Sequence, residues 1–129
     1  AALLAPGGRL LTYCRAAAVR NSLRHAGLEL RSLLPKPGDV AGWSSGTLAF
    51  RLNEYEQYAP EIGPGWRGLS VMEEEHLQTR AGVPYRDPTG SDTAALILKR
   101  RQHEQAFVEL PSTSAWKRKW GLARQACNF

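Results

Sequence analysis

Residues 9–34, reading RLLTYCRAAAVRNSLRHAGLELRSLL, decide the fold class. Leu10, Leu11, Cys14, Ala17 and Ala18 recur at three- and four-residue steps, which places them on one face of a helix. Gly27 can break that helix, leaving a second short stretch through Leu28, Leu30, Leu33 and Leu34. Pro35-Lys36-Pro37-Gly38 then ends it, because proline removes a backbone donor and disfavours helix in the residue before it. On this reading residues 1–34 are helical.

The same segment carries Arg9, Arg15, Arg20 and Arg24 and has no carboxylate before Glu29. An Arg- and Ala-rich, acid-free, helix-prone opening is the composition of an organellar targeting segment. Because the chain starts at Ala1 rather than methionine, the segment is expected to be retained in the mature protein. The expected location is the matrix side of the mitochondrion.

Downstream, residues 38–47 read as loop, and Ser44, Ser45 or Thr47 can cap a helix running to about Tyr58. Pro60 to Gly68 is too rich in turn formers for a regular element. Ser70-Val71-Met72-Glu73 is a capping box and predicts a helix over 71–81, closed by Gly82 and Pro84. A longer helix is expected from about 92 to 109, ended by Pro111. Its apolar positions Ala94, Ala95, Leu98, Ala106 and Leu110 would turn inward, leaving Lys99, Arg100, Arg101 and His103 on the exposed arc. In the last helix Trp116, Trp120, Ala123 and Cys127 fall at steps of four, three and four and read as a buried seam.

The expected fold is therefore all-α: four or five short helices joined by Pro/Gly-rich extended connectors, irregular rather than a compact bundle. Residues 1–129 form one small helical unit. It divides into a basic N-terminal helix over 1–34, an acidic middle over 35–92 and basic C-terminal helices over 93–129. Five basic residues against one acid, five against nine and seven against two give those parts +4, −4 and +5, which sum to the net +5. Segregated charge of this kind suits partners of opposite sign, or pairing of the ends with the middle.

The chemistry-bearing clusters are sparse. Glu73-Glu74-Glu75-His76 points in several directions around a helix and reads as a solvated first turn. His103-Glu104 lacks the second histidine four residues on that a zinc-protease helix needs, since Phe107 stands there. Neither Gly7-Gly8 nor the glycines over 63–68 carry a phosphate-loop ending. Cys14 and Cys127 form no CxxC or zinc spacing, although they could pair with each other. No catalytic residue, metal site, cofactor or small-molecule substrate is expected.

What remains is binding. Lys99, Arg100, Arg101, Lys117, Arg118 and Lys119 are the candidate RNA-phosphate contacts, with Trp116 and Trp120 beside the last three. Tyr55, Tyr58, Trp66 and Tyr85 lie near Pro/Gly connectors and are candidate anchors on a neighbouring protein. No apolar run reaches the roughly 18 residues a membrane span needs. The expected function is a non-catalytic structural subunit of a large mitochondrial assembly, first the mitochondrial ribosome with ribosomal RNA and other subunits as partners. The alternatives are an accessory subunit of a respiratory-chain or ATP synthase complex, and a ciliary or cytoskeletal lattice protein.

Overall fold

A computed structural model describes residues 4–53 and 60–122. It overturns the all-α expectation, because a five-stranded antiparallel sheet organises the chain. The expected helix over 9–34 divides into β1 (Arg9–Thr12), α1 (Ala17–His25) and β2 (Glu29–Leu33). Between β1 and α1, the Thr12 hydroxyl oxygen accepts from the Cys14 amide at 3.0 Å, a local bond that competes with helix. At the other end Gly27 sits at φ 86. The Gly27 amide donates to Arg24 O and the Leu28 amide to Leu23 O, the paired bonds of a Schellman stop. The Leu10 to Ala18 spacing therefore spans two elements rather than one helical face.

The next expected helix is also a strand. β3 (Gly46–Phe50) has all five residues buried and pairs antiparallel with both β1 and β2. β1 and β2 are consequently parallel to each other, joined through α1, with β3 inserted between them. The turn-rich stretch expected to lack regular structure holds a short hairpin, β4 (Ile62–Gly63) and β5 (Trp66–Arg67), whose second strand pairs with β2. The strand order is β1-β3-β2-β5-β4.

Helices do form at the later local signals, although the one expected over 71–81 stops at Leu77 and the last one stops at Lys119. α2 (Val71–Leu77) carries both bonds of the capping box between Ser70 and Glu73, and a 3-10 turn follows at Arg80–Gly82. α3 (Ala94–Phe107) is capped by Thr93, which accepts from the Leu96 amide, and α4 (Thr113–Lys119) by Ser112, which accepts from the Ala115 amide. The inward apolar stripe expected of α3 is absent: none of its residues is buried. No helix of the described residues is long and apolar enough to cross a membrane.

Three apolar clusters hold these elements. On the sheet face toward α1, Leu28, Leu30 and Ala49 pack with Leu23 and Leu69. Leu48 and Phe50 face the other way, against Leu33, Leu52 and Trp66. The third cluster joins Trp43, Met72, Trp116 and Leu122, and the Trp116 indole donates to Met72 O at 2.9 Å. Trp116 thus belongs to the core, as its helical spacing implied. Trp120, next in the expected seam, is the half-buried C-cap that follows the end of α4, and Ala123 and Cys127 lie outside the described residues.

Candidate functional site

The most polar part of the interior lies where α1 and α2 meet the sheet. Arg20 of α1 is fully buried. Its Nη1 donates to Glu73 Oε2 at 2.7 Å, its Nε to Thr47 Oγ1 at 2.8 Å, and its Nη2 to Ser44 Oγ at 2.8 Å and Gly46 O at 3.0 Å. Glu73 also accepts from Ser32 at 2.7 Å, from Arg67 at 3.1 Å and from the Ser70 amide at 3.2 Å. Burial alone would raise the Glu73 pKa, but the charge and hydrogen bonds of Arg20, with those of Ser32 and Ser70, bring it below the ordinary carboxylate value. Burial lowers the Arg20 pKa and Glu73 opposes that. The two directions conflict, and the four donors converging on Glu73 decide for an ionised carboxylate facing a protonated guanidinium.

This network corrects the reading of Glu73-Glu74-Glu75-His76 as a solvated turn, because Glu73 and His76 are buried. The His76 ring stacks on Trp116 with centroids 4.2 Å apart, and its edge meets Trp43 at 5.6 Å. Burial first, and the charge of Arg20 second, push its pKa down to about 3, with Glu73 opposing. Neither residue opens to solvent, so both serve the fold.

What the network supports is a segment over 43–46 whose carbonyls are held by side chains. Arg67 donates to Trp43 O at 3.0 Å, Arg15 to Ser44 O at 2.7 Å and Arg20 to Gly46 O at 3.0 Å. Three guanidinium groups thereby hold the carbonyls of Trp43, Ser44 and Gly46, and Ser45 is presented between the last two. Its amide donates to Leu33 O and its hydroxyl to Leu34 O, which ties the segment to the end of β2.

Against this wall lies a cleft of about 300 Å³ lined by Tyr13, Arg15, Lys36, Asp39 and Ser45. Tyr13 and Arg15 follow β1, Lys36 and Asp39 follow β2, and Ser45 precedes the oppositely directed β3. The cleft therefore sits at the end of the sheet where β1 and β2 finish and β3 begins. Two cations face one carboxylate there. Asp39 accepts from the Lys36 backbone amide at 2.9 Å, whereas the Lys36 ammonium enters no ion pair among the described residues. Arg15 lies over Trp43 at 5.2 Å, and Tyr13 is 85% exposed. This combination suits an anionic ligand carrying a flat ring. A second cleft, of about 310 Å³, lies between α2 and α4 along Glu75, Thr79, Pro111, Trp116 and Lys119. Its charges already meet each other, with Lys119 on Glu75 at 2.7 Å, so it offers less to a charged ligand.

The residues singled out from sequence are not gathered in either place as a set. Arg100 donates to Arg86 O and Asp92, Arg101 to Val83 O and Ala81 O, and Lys119 to Glu75. Half of the six candidate cations thus serve internal acceptors. Lys99 and Arg118 are exposed and Lys117 is half-buried, on two different helices. Trp66 is half-buried with its ring edge toward Phe50 at 6.0 Å, and Tyr85 is exposed beneath Arg101 at 4.4 Å. Tyr55 and Tyr58 lie outside the described residues. Among the described residues no group of three or more His, Cys, Asp or Glu side chains is arranged to hold a metal. The cleft went unseen in the sequence because residues 13–15 were read as helix, and a helix would not bring Tyr13 and Arg15 to Lys36 and Ser45.

No protein-family model matches the chain, and comparison with curated proteins and with solved structures finds no match either. The functional reading therefore rests on geometry.

Proposed function

We propose that the chain is a non-catalytic subunit of a larger ribonucleoprotein, and that it holds a stretch of single-stranded RNA at the carboxyl-end cleft. The observation that supports this is the placing of Arg15 and Lys36 with the exposed ring of Tyr13 beside the hydrogen-bonded backbone of residues 43–46. A cation opposite a phosphate releases counterions, and an aromatic ring accepts a base of any identity by stacking. Lys99 and Arg118 are also exposed, on α3 and α4. The residues that suggested an organellar address, Arg20, Ala17 and Ala18 among them, are buried in the fold, so this proposal draws its support from the cleft and not from that composition.

Titration of a single-stranded RNA oligomer at several salt concentrations tests the binding. Affinity should fall with salt, and Lys36→Ala should flatten the log–log slope by about 0.7, the value for one single-strand phosphate contact. Tyr13→Ala should weaken binding with the slope unchanged. A slope indifferent to Lys36 removes the cleft from the RNA reading. Sedimentation of the native protein identifies the assembly, with the mitochondrial ribosome as the first particle to test. Cosedimentation with a respiratory-chain or ATP synthase complex free of RNA would select the accessory-subunit alternative.

A further inference from the structure

A smaller cationic cleft opens at the other end of β1. It has a volume of about 130 Å³ and is lined among others by Arg9, Phe50, Arg51, Pro60 and Trp66. That is less than half the volume of the Tyr13 cleft, and at about 30 Å³ per water it holds roughly four water molecules, the room a phosphate group takes. Arg9 is exposed, with its guanidinium 5.9 Å from the centre of the Phe50 ring. Arg51 is exposed too and gives one Nη1 bond to Leu4 O at 2.8 Å. Neither enters an ion pair among the described residues. Two carboxylates lie near, Glu29 opposite Phe50 in the ladder and Glu61 next to Pro60, and both are met by Arg31, at 3.8 and 3.3 Å. The free charge of this cleft is therefore positive, and it is supplied by guanidinium forks that match the oxygens of a phosphate.

The pleat of β1 joins the two clefts. Arg9 stands opposite Phe50 and Leu11 opposite Leu48, which puts both side chains on the sheet face turned away from α1. The same register carries Tyr13 to Gly46. A Cβ on Gly46 would lie 3.1 Å from Tyr13 Cα and 3.1 Å from the Leu33 side chain, which packs on that face. Arg9, Leu11 and Tyr13 thus form one row, with Leu11 66% exposed between the clefts. Four residue steps at about 3.3 Å each separate Arg9 from Tyr13 by about 13 Å. A stacked strand with a phosphate every 3.4 Å or so crosses that distance in about four nucleotides, and a more extended strand in fewer. No carboxylate occurs in the sequence from Leu4 to Leu28 to oppose it.

We infer that the RNA runs along β1 and is clamped by its phosphates at both ends of the strand. Arg15 and Lys36 take one phosphate beside the base stacked on Tyr13, and Arg9 with Arg51 takes another about two to four nucleotides away. Leu11 meets the sugars and bases between them by apolar contact, which carries no sequence preference. This inference rests on the RNA reading of the Tyr13 cleft and adds to it the path and the minimum length of the bound strand.

Titration of the full chain with a uridine dinucleotide and a uridine octanucleotide tests it. The octanucleotide should bind more tightly, and Arg9→Ala should weaken it about fivefold, the upper end for an exposed ion pair. The dinucleotide, which fills the Tyr13 cleft alone, should be indifferent to Arg9→Ala and sensitive to Tyr13→Ala. Arg9→Ala should flatten the octanucleotide salt slope by about 0.7, and Arg9→Ala with Lys36→Ala by about 1.4, because two separate phosphates are lost. Leu11→Glu sets a carboxylate on the path without touching either cleft. It should weaken the octanucleotide at least fivefold, with Leu11→Gln within twofold of wild type and all circular dichroism spectra unchanged. An octanucleotide indifferent to Arg9→Ala, a dinucleotide weakened as much as the octanucleotide, or equal effects of Leu11→Glu and Leu11→Gln would overturn the inference and leave RNA binding at Tyr13 standing. Absence of binding at either length would overturn both.

Discussion

Replacing Glu73 by glutamine probes the interior most directly. The substitution keeps the shape of the side chain, removes the charge and leaves a single acceptor oxygen, which can serve the Ser70 amide on one side or Arg20 and Ser32 on the other. Arg20 would then stand fully buried with neutral acceptors alone, those of Thr47, Ser44 and Gly46. Breaking a buried ion pair from one side costs about 3–5 kcal/mol, because the remaining charge stays desolvated. The lower end applies here, since an amide oxygen can still accept from either Arg20 or Ser32. Arg20→Met should cost slightly less, because Glu73 retains Ser32, the Ser70 amide and Arg67, which is 25% exposed and brings in solvent. The double variant Arg20→Met/Glu73→Gln should fall short of the summed single effects by about 2 kcal/mol, the signature of two groups that face each other. Urea unfolding followed by tryptophan fluorescence provides the measurement, since Trp43 and Trp116 flank the site. Against a typical domain stability of about 5–15 kcal/mol the single variants should remain folded but shift strongly. A Glu73→Gln variant within about 0.5 kcal/mol of wild type, or strict additivity in the double, would refute the assignment of an ionised, tightly coupled pair.

Two further outcomes follow from other parts of the core. Stability should decline as pH falls from about 6.5 to about 3: the unfolded His76 takes up a proton near its ordinary value, the folded ring resists it down to about 3, and protons therefore favour the unfolded chain across that window. Glu73, held below its ordinary value, adds to the same loss below about pH 4.5, and His76→Phe should remove the upper part of the slope in urea midpoints measured pH by pH. Gly46→Ala should lower the thermal midpoint, since a Cβ there would lie 2.5 Å from Thr12 O in the neighbouring strand, and overpacking of that kind costs about 1–3 kcal/mol.

The helices that could be read from the sequence are those whose start is written locally. Ser70 with Glu73, Thr93, and Ser112 each supply a side-chain oxygen to an amide three residues on; α2 begins where its capping box predicts, and α3 begins at Ala94, two residues past the expected start near 92, with Thr93 rather than a residue of 89–92 as its cap. The strands gave no such signal. Gly46-Thr47-Leu48-Ala49-Phe50 is buried on both faces, so it lacks the alternation that marks a half-exposed strand, and a short apolar run reads equally as helix. Leu10, Leu11 and Cys14 fit a helical spacing only because β1 ends two residues before Cys14. The charged interior was beyond local reasoning altogether: Arg20 meets Glu73 across 53 residues of sequence, and a run of three glutamates looks solvated until that partner arrives. For the same reason the cleft's lining could not be assembled, since it depends on the ends of two strands that the sequence presented as helix.

The insertion of β3 between β1 and β2 has a consequence for how the chain assembles as it is made. Residues 9–33 contain both flanking strands and the helix that joins them, yet these two strands share no hydrogen bonds with each other. Their ladders exist only once Gly46–Phe50 has emerged and entered the gap. Until then α1 has no closed sheet to pack on, and Leu10, Leu30 and their neighbours remain uncovered. The N-terminal third is therefore not a folding unit in its own right: sheet formation waits on a loop closure over residues 34–45, and the interior charges cannot be neutralised until α2 follows. A nascent chain cut short of Gly46 holds β1, α1 and β2 and none of the bonds that β3 makes with either strand.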